Sequence, residues 1–339
     1  LPNFFNLEQS QTPNAIDVKF DIGGSIQKRF GATTINTVAN VLPTSAGWGM
    51  FDFGAAGELR WLIAGAGTGI FASSNRGVTF LAIATGPAGA EDHRNFERSK
   101  PYLIITADSQ SAPLYWAGSV GTYAAQIAVG SAPSARYAID FQGFLLLMNT
   151  TTRKRGIYYA DNNLILTDPW NNSFDLPSSF DDEITGAIIL NKKLYVFTKF
   201  KVFRISYVGG NPDFSYQDVK EWGAVPRTIR KITLPEVGEV IIALGWDKKL
   251  RIFDGSEDEV ISDTVSQTNN MSPVNLDRIN ISAARHIFAE VDTNEQVYKL
   301  WIATTPSTLT THMVAYNYRV ENGAFYAYQN QGYMAAGMD

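Results

Sequence analysis

The amino-acid sequence predicts an all-β protein built as a six-bladed β-propeller. The leading observation is a repeat in which a short, strongly apolar run is followed by a turn and a second, aromatic-rich run. The first runs begin at residues 59, 102, 144, 194, 240 and 298, so each begins between 42 and 58 residues after the previous one. Short strands that repeat about every 40–50 residues are typical of β-propellers, in which each repeat forms one four-stranded sheet, or blade. A seven-bladed ring is the alternative.

Composition agrees with one large β domain over residues 1–339. The chain contains 28 Gly and 14 Pro to supply turns, and 12% aromatic residues to pack between sheets. A chain of this length buries about three-quarters of its unfolded surface, and all-β domains routinely reach this size. The net charge is −5, with neither an acidic nor a basic tail, which argues against the whole molecule being a nucleic-acid binder.

Several kinds of chemistry find no support in the sequence. There is no cysteine, which excludes disulfides, thiolate catalysis and Cys-ligated zinc. His93, His286 and His312 have no partner at a spacing that suits a metal or a catalytic triad. We therefore expect no catalytic residues, no metal and no cofactor. No apolar stretch approaches the roughly 18 residues that span a bilayer, so we also expect no membrane span.

The first 44 residues are expected to form an N-terminal arm that supplies closing strands. Within it, Ile16–Phe20 and Ser25–Arg29 read as a hairpin around Gly23 and Gly24. The blades then begin near residues 45, 91, 134, 182, 226 and 283. In the fourth blade the expected strands are 184–190, 194–198, 202–207 and 216–220.

Two long segments interrupt the repeat. Residues 161–181 are polar and contain prolines, which predicts a surface loop. Residues 256–283 could hold a short helix before Pro273, and the last ten residues resemble the start of a further strand.

One turn has a distinctive pattern. Ser73, Asn75, Gly77 and Thr79 fit Ser-x-Asx-x-Gly-x-Thr-aromatic, which resembles the Asp box of sialidase-like propellers. In that family the box is a structural turn between the last two strands of a blade. A glycosidase would also need an arginine cluster and a Tyr–Glu pair, and no such set is evident.

Basic residues concentrate in the turns after three of the first runs. These residues are Arg153, Lys154 and Arg155 in blade 3, Lys199 and Lys201 in blade 4, and Lys248 and Lys249 in blade 5. The equivalent turns of the other three blades contain no Lys or Arg. The lysines and arginines could simply keep the hairpin turns soluble. Alternatively, they form an arc on one face that docks an acidic partner subunit or DNA.

Several segments together resemble one family of viral proteins. They are residues 15–31 (AIDV to QKRFG), 156–161 (GIYYAD) with 168–170 (DPW), 182–205, 224–229 (AVPRTI) and 251–255 (RIFDG). This set is similar to the β-propeller tail proteins of short-tailed bacteriophages, of the nozzle or tail-tube B type, and to related stabilisation proteins. Phe30 stands where the family has proline. The resemblance covers most of residues 14–328 and is densest over 156–255.

The resemblance implies a non-enzymatic structural virion protein. Such a subunit forms a homo-oligomeric ring, for which six copies are expected, in a tail or head-to-tail complex through which DNA is ejected. Its partners would be connector, adaptor and tail subunits, with DNA passing without sequence-specific binding. The protein would be made in the host cytoplasm and end in the virion tail. The alternative is a carbohydrate- or receptor-binding propeller of a viral or bacterial surface, in which Trp116, Trp170 or Trp222 would stack on sugars.

Overall fold

The structure is a computed structural model. It describes residues 18–20, 26–28, 47–54, 60–75, 77–85, 92–119, 122–127, 132–161, 165–167, 169–179, 181–210, 213–235, 237–262, 275–319 and 324–329. Over these ranges the regular structure consists of 26 β-strands and two short 3₁₀ helices. None of the helices in these ranges has the length and apolar character needed to cross a bilayer.

The first two strands form the predicted N-terminal hairpin. Strands β1 (Val18–Phe20) and β2 (Ile26–Lys28) pair antiparallel, with Lys19 opposite Gln27. The remaining strands form six antiparallel sheets of four strands each.

The first three sheets are built from strands β3 to β14. The first contains β3 (Gly47–Gly54), β4 (Arg60–Ala66), β5 (Gly69–Ser73) and β6 (Leu81–Thr85). The second contains β7 (Arg94–Ser99), β8 (Tyr102–Ala107), β9 (Leu114–Trp116) and β10 (Ala125–Gln126). The third contains β11 (Ala135–Phe141), β12 (Phe144–Thr150), β13 (Gly156–Asp161) and β14 (Asn172–Asp175).

The last three sheets are built from strands β15 to β26. The fourth contains β15 (Ile184–Leu190), β16 (Lys193–Thr198), β17 (Val202–Tyr207) and β18 (Phe214–Lys220). The fifth contains β19 (Arg230–Leu234), β20 (Gly238–Leu244), β21 (Leu250–Phe253) and β22 (Asp258–Val260). The sixth contains β23 (Phe288–Asp292), β24 (Val297–Ile302), β25 (His312–Asn317) and β26 (Ala324–Gln329).

Each sheet uses four strands that are consecutive in the chain and hydrogen-bonded in chain order. This repeated up-and-down sheet is the blade of a β-propeller, and there are six of them. The prediction of an all-β, six-bladed propeller is therefore confirmed. The seven-bladed alternative is wrong for the part of the chain that the structure describes.

The first apolar run of each repeat is the second strand of a sheet, and burial on both faces explains its composition. In β12 and β20 nearly every side chain is buried, so the alternation of polar and apolar residues is lost. The fourth strands β10, β14 and β18 are mostly exposed and polar. Apolar character is therefore highest in the second strand and is low in the fourth strands of the second, third and fourth sheets.

The prediction that residues 161–181 form only a surface loop is wrong. Residues 172–175 form β14, in which Phe174 pairs with Ile157 and Ser173 with Tyr158 of β13. As an edge strand, β14 exposes its polar side chains, so it lacks the apolar alternation that marks a strand in sequence. Leu176 is also buried, which anchors the end of this segment.

The other irregular segments lie partly outside the described residues. The helix expected before Pro273 falls within residues 263–274, and the expected last strand falls within 330–339; both ranges lie outside the description. After Pro273, two 3₁₀ helices run over Leu276–Arg278 and Ile281–His286.

The chain divides into two compact units. Unit 1 falls in residues 1–32, 188–205 and 217–333, and unit 2 in residues 33–187 and 206–216. Unit 1 has a large apolar core that includes Ile242, Leu244, Tyr298, Leu300 and Val314. The cores of unit 2 include Phe53, Trp61 and Trp116 in one cluster, and Leu145, Leu147 and Trp170 in another.

Candidate functional site

The turn between β16 and β17 presents two lysines around an exposed aromatic ring. Lys199 and Lys201 flank Phe200, which is 49% exposed. The turn is held by Thr198, whose amide donates to the Lys201 carbonyl at 2.9 Å and whose hydroxyl accepts from the Lys201 amide at 2.9 Å. The position of the lysine backbone is therefore fixed by this turn.

The turn between β20 and β21 presents the next basic pair. The Gly245 amide donates to the Lys249 carbonyl at 2.8 Å, which closes the turn. Lys248 adopts a positive φ of 65°. Asp247 accepts hydrogen bonds from both terminal nitrogens of Arg251, at 2.8 and 2.5 Å, so this acid neutralises a cation behind the turn.

These two turns are joined into one surface of unit 1. The Ala224 amide donates to the Thr198 carbonyl at 3.0 Å, and the Ala224 carbonyl accepts from Nε1 of Trp246 at 3.0 Å. The Lys199 Nζ lies 5.5 Å from the centre of the Trp246 ring, within the range of a cation–π interaction. We call Lys199, Phe200, Lys201, Trp246, Lys248 and Lys249 the basic turn surface.

Part of the charge of this surface is already used within the molecule. Lys201 Nζ lies 2.5 Å from a carboxylate oxygen of Asp218 and 2.8 Å from one of Glu221. Hydrogen bonds to these two carboxylates raise the pKa of Lys201. Lys248 Nζ donates to the backbone carbonyl of Asp277 at 2.9 Å. Because a carbonyl is neutral, this contact does not cancel the charge of Lys248.

In unit 2, the basic turn between β12 and β13 ties strands together. The Arg153 guanidinium pairs with the Asp175 carboxylate at 2.8 Å, donates to Ser173 at 2.7 Å and lies 5.1 Å from the Tyr158 ring centre. The hydrogen bond to Asp175 is the main cause that raises the pKa of Arg153. Arg155 donates to the Ser178 carbonyl.

Lys154 contributes through its backbone, since its carbonyl accepts from the Ile184 amide at 3.0 Å. The three basic turns are thus divided between the two units, with Arg153 to Arg155 in unit 2 and the four lysines in unit 1. A single basic arc across all three turns stays a prediction.

The Ser73–Thr79 motif forms a hydrogen-bonded turn between β5 and β6. The Ser73 hydroxyl donates to the Asn75 side chain at 2.8 Å and accepts from the Gly77 amide at 2.9 Å. The Asn75 side chain accepts from the Thr79 amide at 2.9 Å and donates to its hydroxyl at 2.7 Å. Gly77 has a φ of +87°, which glycine adopts without strain. The motif satisfies its own polar groups and acts in the fold.

The tryptophans considered as sugar-stacking residues are packing residues instead. Trp116 is 1% and Trp170 3% exposed, and both belong to apolar cores. Trp222 is half-buried against Phe197 and Phe253, with Arg251 over its ring at 5.1 Å. The expectation that these rings are exposed is therefore wrong for Trp116 and Trp170, because large aromatics fill the space between sheets, while Trp222 keeps part of its surface exposed.

The histidines do not converge. Within the ranges that the structure describes, no cluster of three or more His, Cys, Asp or Glu side chains could hold a metal ion. His93, His286 and His312 are each buried. Burial lowers the pKa of His312, and the charge of Arg278 lowers it further.

A polar network in unit 2 was not anticipated from the sequence. Near the starts of β11 and β15, the Arg136 guanidinium donates to Glu183 at 3.4 Å and to the Asp108 carbonyl at 3.2 Å. Asn149, at a φ of 55°, donates to the Ile184 carbonyl at 2.7 Å. The network joins residues that are distant in sequence, and each of them looks like an ordinary polar residue in its own segment.

Comparison with known proteins gives the fold. No protein-family model and no curated protein matches the chain. The chain is similar to the β-propeller domain of Cps50 (Swd1) from Myceliophteria thermophila, with a TM-score of 0.51 and 11% identity over 89% of this chain and 93% of that one. The fold is that of a β-propeller.

A second similar structure is the extracellular domain of a hybrid two-component system from B. thetaiotaomicron. Its TM-score is 0.50 at 13% identity, over 86% of this chain and 37% of that chain. The propeller therefore spans well under half the length of that relative. At such identities the likeness concerns the fold alone, and propellers host many unrelated activities.

Proposed function

We propose that this protein is a structural, non-enzymatic virion protein, a ring-forming β-propeller subunit of a bacteriophage tail or head-to-tail complex through which DNA is ejected. Its neighbours are connector, adaptor and tail subunits, and further copies of itself in a ring of six. It is made in the host cytoplasm and ends in the tail.

One observation carries this proposal: the segments that resemble the phage tail propellers build the framework of the blades. Residues 156–161 coincide with β13, and Trp170 of the second segment is buried in a core of unit 2. Residues 251–253 lie in β21, and Ala224 and Val225 are fully buried. Resemblance at such positions supports a shared architecture more strongly than resemblance in exposed loops.

The basic turn surface supplies a docking site in this proposal. The whole chain carries a charge of −5, so a surface with Lys199, Lys248 and Lys249 differs in sign from the average. Phe200 adds an exposed apolar group between Lys199 and Lys201. An acidic segment of a neighbouring virion protein that also carries an apolar side chain fits such a surface. Because the chain as a whole is acidic, we expect DNA to pass without the contacts to its phosphates that would hold it.

The proposal is tested in phage particles that package variants of this chain. K248E/K249E reverses the charge of one turn of the basic turn surface. K192E/K193E makes the same change at the other end of β16, and Lys192 also has a positive φ, 62° against 65° for Lys248. We expect purified particles to contain the wild type and K192E/K193E in similar amounts. The amount of K248E/K249E in particles should be lower by about tenfold or more, which corresponds to a loss of roughly 1.4 kcal/mol in docking.

Particles that contain no wild-type chain would refute the virion assignment. Equal incorporation of both charge-reversed variants would refute the docking role of the basic turn surface while leaving the virion assignment standing. Cryo-EM of wild-type particles gives the position of the labelled subunit and its copy number.

A further inference from the structure

Unit 2 contains a cluster of seven aromatic side chains that the proposed function does not use. Its members come from the third sheet and from the β17–β18 hairpin, and each lies within 6.3 Å, ring centre to ring centre, of at least one other. They are Phe141, Phe144, Tyr159, Phe174, Tyr207, Phe214 and Tyr216.

Phe214 is the centre of the cluster. It is buried, and its ring centre lies 4.9 Å from that of Tyr159, 5.4 Å from Phe144 and 5.6 Å from Tyr207. The first two contacts are edge-to-face, an arrangement that the ring quadrupoles favour. The inner part of the cluster is therefore a packed core.

The outer part of the cluster reaches solvent. Tyr207 and Tyr216 are each 45% exposed, and Val208 beside them is also exposed. Tyr216 stacks on Phe174 with ring planes 13° apart and centres 6.3 Å apart. Tyr207 packs on Phe144 at 5.5 Å. Two half-exposed phenol rings are thus held in fixed orientations by the rings beneath them, which lowers the entropic cost of binding a ligand.

The side chains of residues 172–175 and 207–216 are neutral or acidic, and the Arg153 guanidinium, which contacts the first of these segments, is already paired with Asp175 and Ser173. Burial raises the pKa of the Tyr159 hydroxyl, and the nearby Asp213 carboxylate raises it further. The Val208 amide donates to the Asp213 carbonyl at 2.8 Å, which closes the hairpin. Asn172 is exposed and, two residues before Phe174, lies on the same side of β14. Neither residues 172–175 nor residues 207–216 include a lysine or arginine.

We propose that Tyr207, Tyr216 and Phe174 form a tyrosine platform that binds a neutral pyranose unit of a polysaccharide. A pyranose ring has a face of C–H groups that packs on an aromatic ring, and hydroxyls at its rim. The carboxylate of Asp213, the amide of Asn172 and the two phenol hydroxyls offer acceptors and donors for those hydroxyls. The acidic group and the absence of cations from both segments disfavour nucleic acids and acidic sugars. This site goes beyond the proposed function and does not rest on it.

The test is electrophoresis of the full chain through native gels that contain dextran, mannan or galactomannan, with heparin as the acidic probe. We expect at least one neutral polysaccharide to retard the wild type. We expect heparin not to change the mobility of the protein through binding at the platform. Y207A and Y216A each weaken the retardation about tenfold, since each removes one stacking ring. Y123A is the matched control, because Tyr123 is exposed in unit 2 outside this cluster.

The conservative variants Y207F and Y216F, together with the melting temperatures of Y207A and Y216A, separate binding from folding. They keep the rings that pack on Phe144 and Phe174, and we expect them to keep most of the retardation and the melting temperature of the wild type. Three results would overturn the proposal: no retardation by any neutral polysaccharide, retardation that persists in Y207A/Y216A, or self-association in sedimentation that the same double variant abolishes without any polysaccharide effect. The last result would assign the platform to contact between copies of the chain.

Discussion

Gly223 lies where the segment after β18 passes against the turn that carries Lys199. A Cβ atom at this position would lie 2.0 Å from the Thr198 carbonyl oxygen and 2.2 and 2.4 Å from the carbonyl carbon and oxygen of Lys199. All three are backbone atoms, so no side chain can rotate away. We therefore predict that Gly223→Ala destabilises the protein and displaces the β16–β17 turn.

The magnitude follows from the contacts that must change. Ordinary van der Waals separation requires the two segments to part by roughly 1 Å or more. This breaks the hydrogen bond from the Ala224 amide to the Thr198 carbonyl, worth about 1 kcal/mol, and adds an overpacking cost of about 1–3 kcal/mol. The free energy of unfolding should fall by about 2–4 kcal/mol.

Scanning calorimetry and urea denaturation followed by tryptophan fluorescence measure this change. For a chain of 339 residues the unfolding entropy is about 0.7 kcal/mol/K, so the melting temperature should fall by about 3–6 °C if unfolding is cooperative. Gly54→Ala is the matched control, since the nearest atom to its Cβ is Arg98 Nη1 at 3.8 Å. Equal midpoints for the two variants would refute the close approach at Gly223.

Three further substitutions test other parts of the structure. Phe214→Ala removes the centre of the aromatic cluster and should cost about 3–5 kcal/mol in urea denaturation, whereas a cost under about 1 kcal/mol would mean that the cluster is not packed. Tyr298→Phe removes a buried hydroxyl that donates to the Thr228 carbonyl at 2.8 Å and should cost about 1–2 kcal/mol. Burial raises the pKa of Tyr298, so the folded state keeps the phenol proton above pH 10, where the unfolded state loses it. The stability of the wild type should therefore fall as the pH rises above about 10, and the stability of Tyr298→Phe should fall less steeply. Denaturation curves measured across pH test this difference. Asn75→Ala removes the acceptor of the Thr79 amide and should lower the urea midpoint by the equivalent of about 1 kcal/mol, while an unchanged midpoint would show that the turn holds without it.

The sequence by itself determined the order of the blades and favoured six of them over seven. The second strand of each sheet is buried on both faces, so its apolar run survives as a local signal, as in β12 and β20. The hairpin turns carry polar residues and glycine, which separate these runs. Both signals depend only on residues that are close in the chain.

The tertiary structure decided which residues are exposed and which polar groups meet. Trp116 and Trp170 resemble candidate ligand-stacking residues in sequence, yet they are buried, whereas Tyr207 and Tyr216 reach solvent. A buried and an exposed aromatic residue look alike in the sequence, because exposure depends on whether a neighbouring sheet covers the side chain. The pairing of Arg136 with Glu183 likewise joins residues 47 positions apart, a contact that only the packing of successive blades creates.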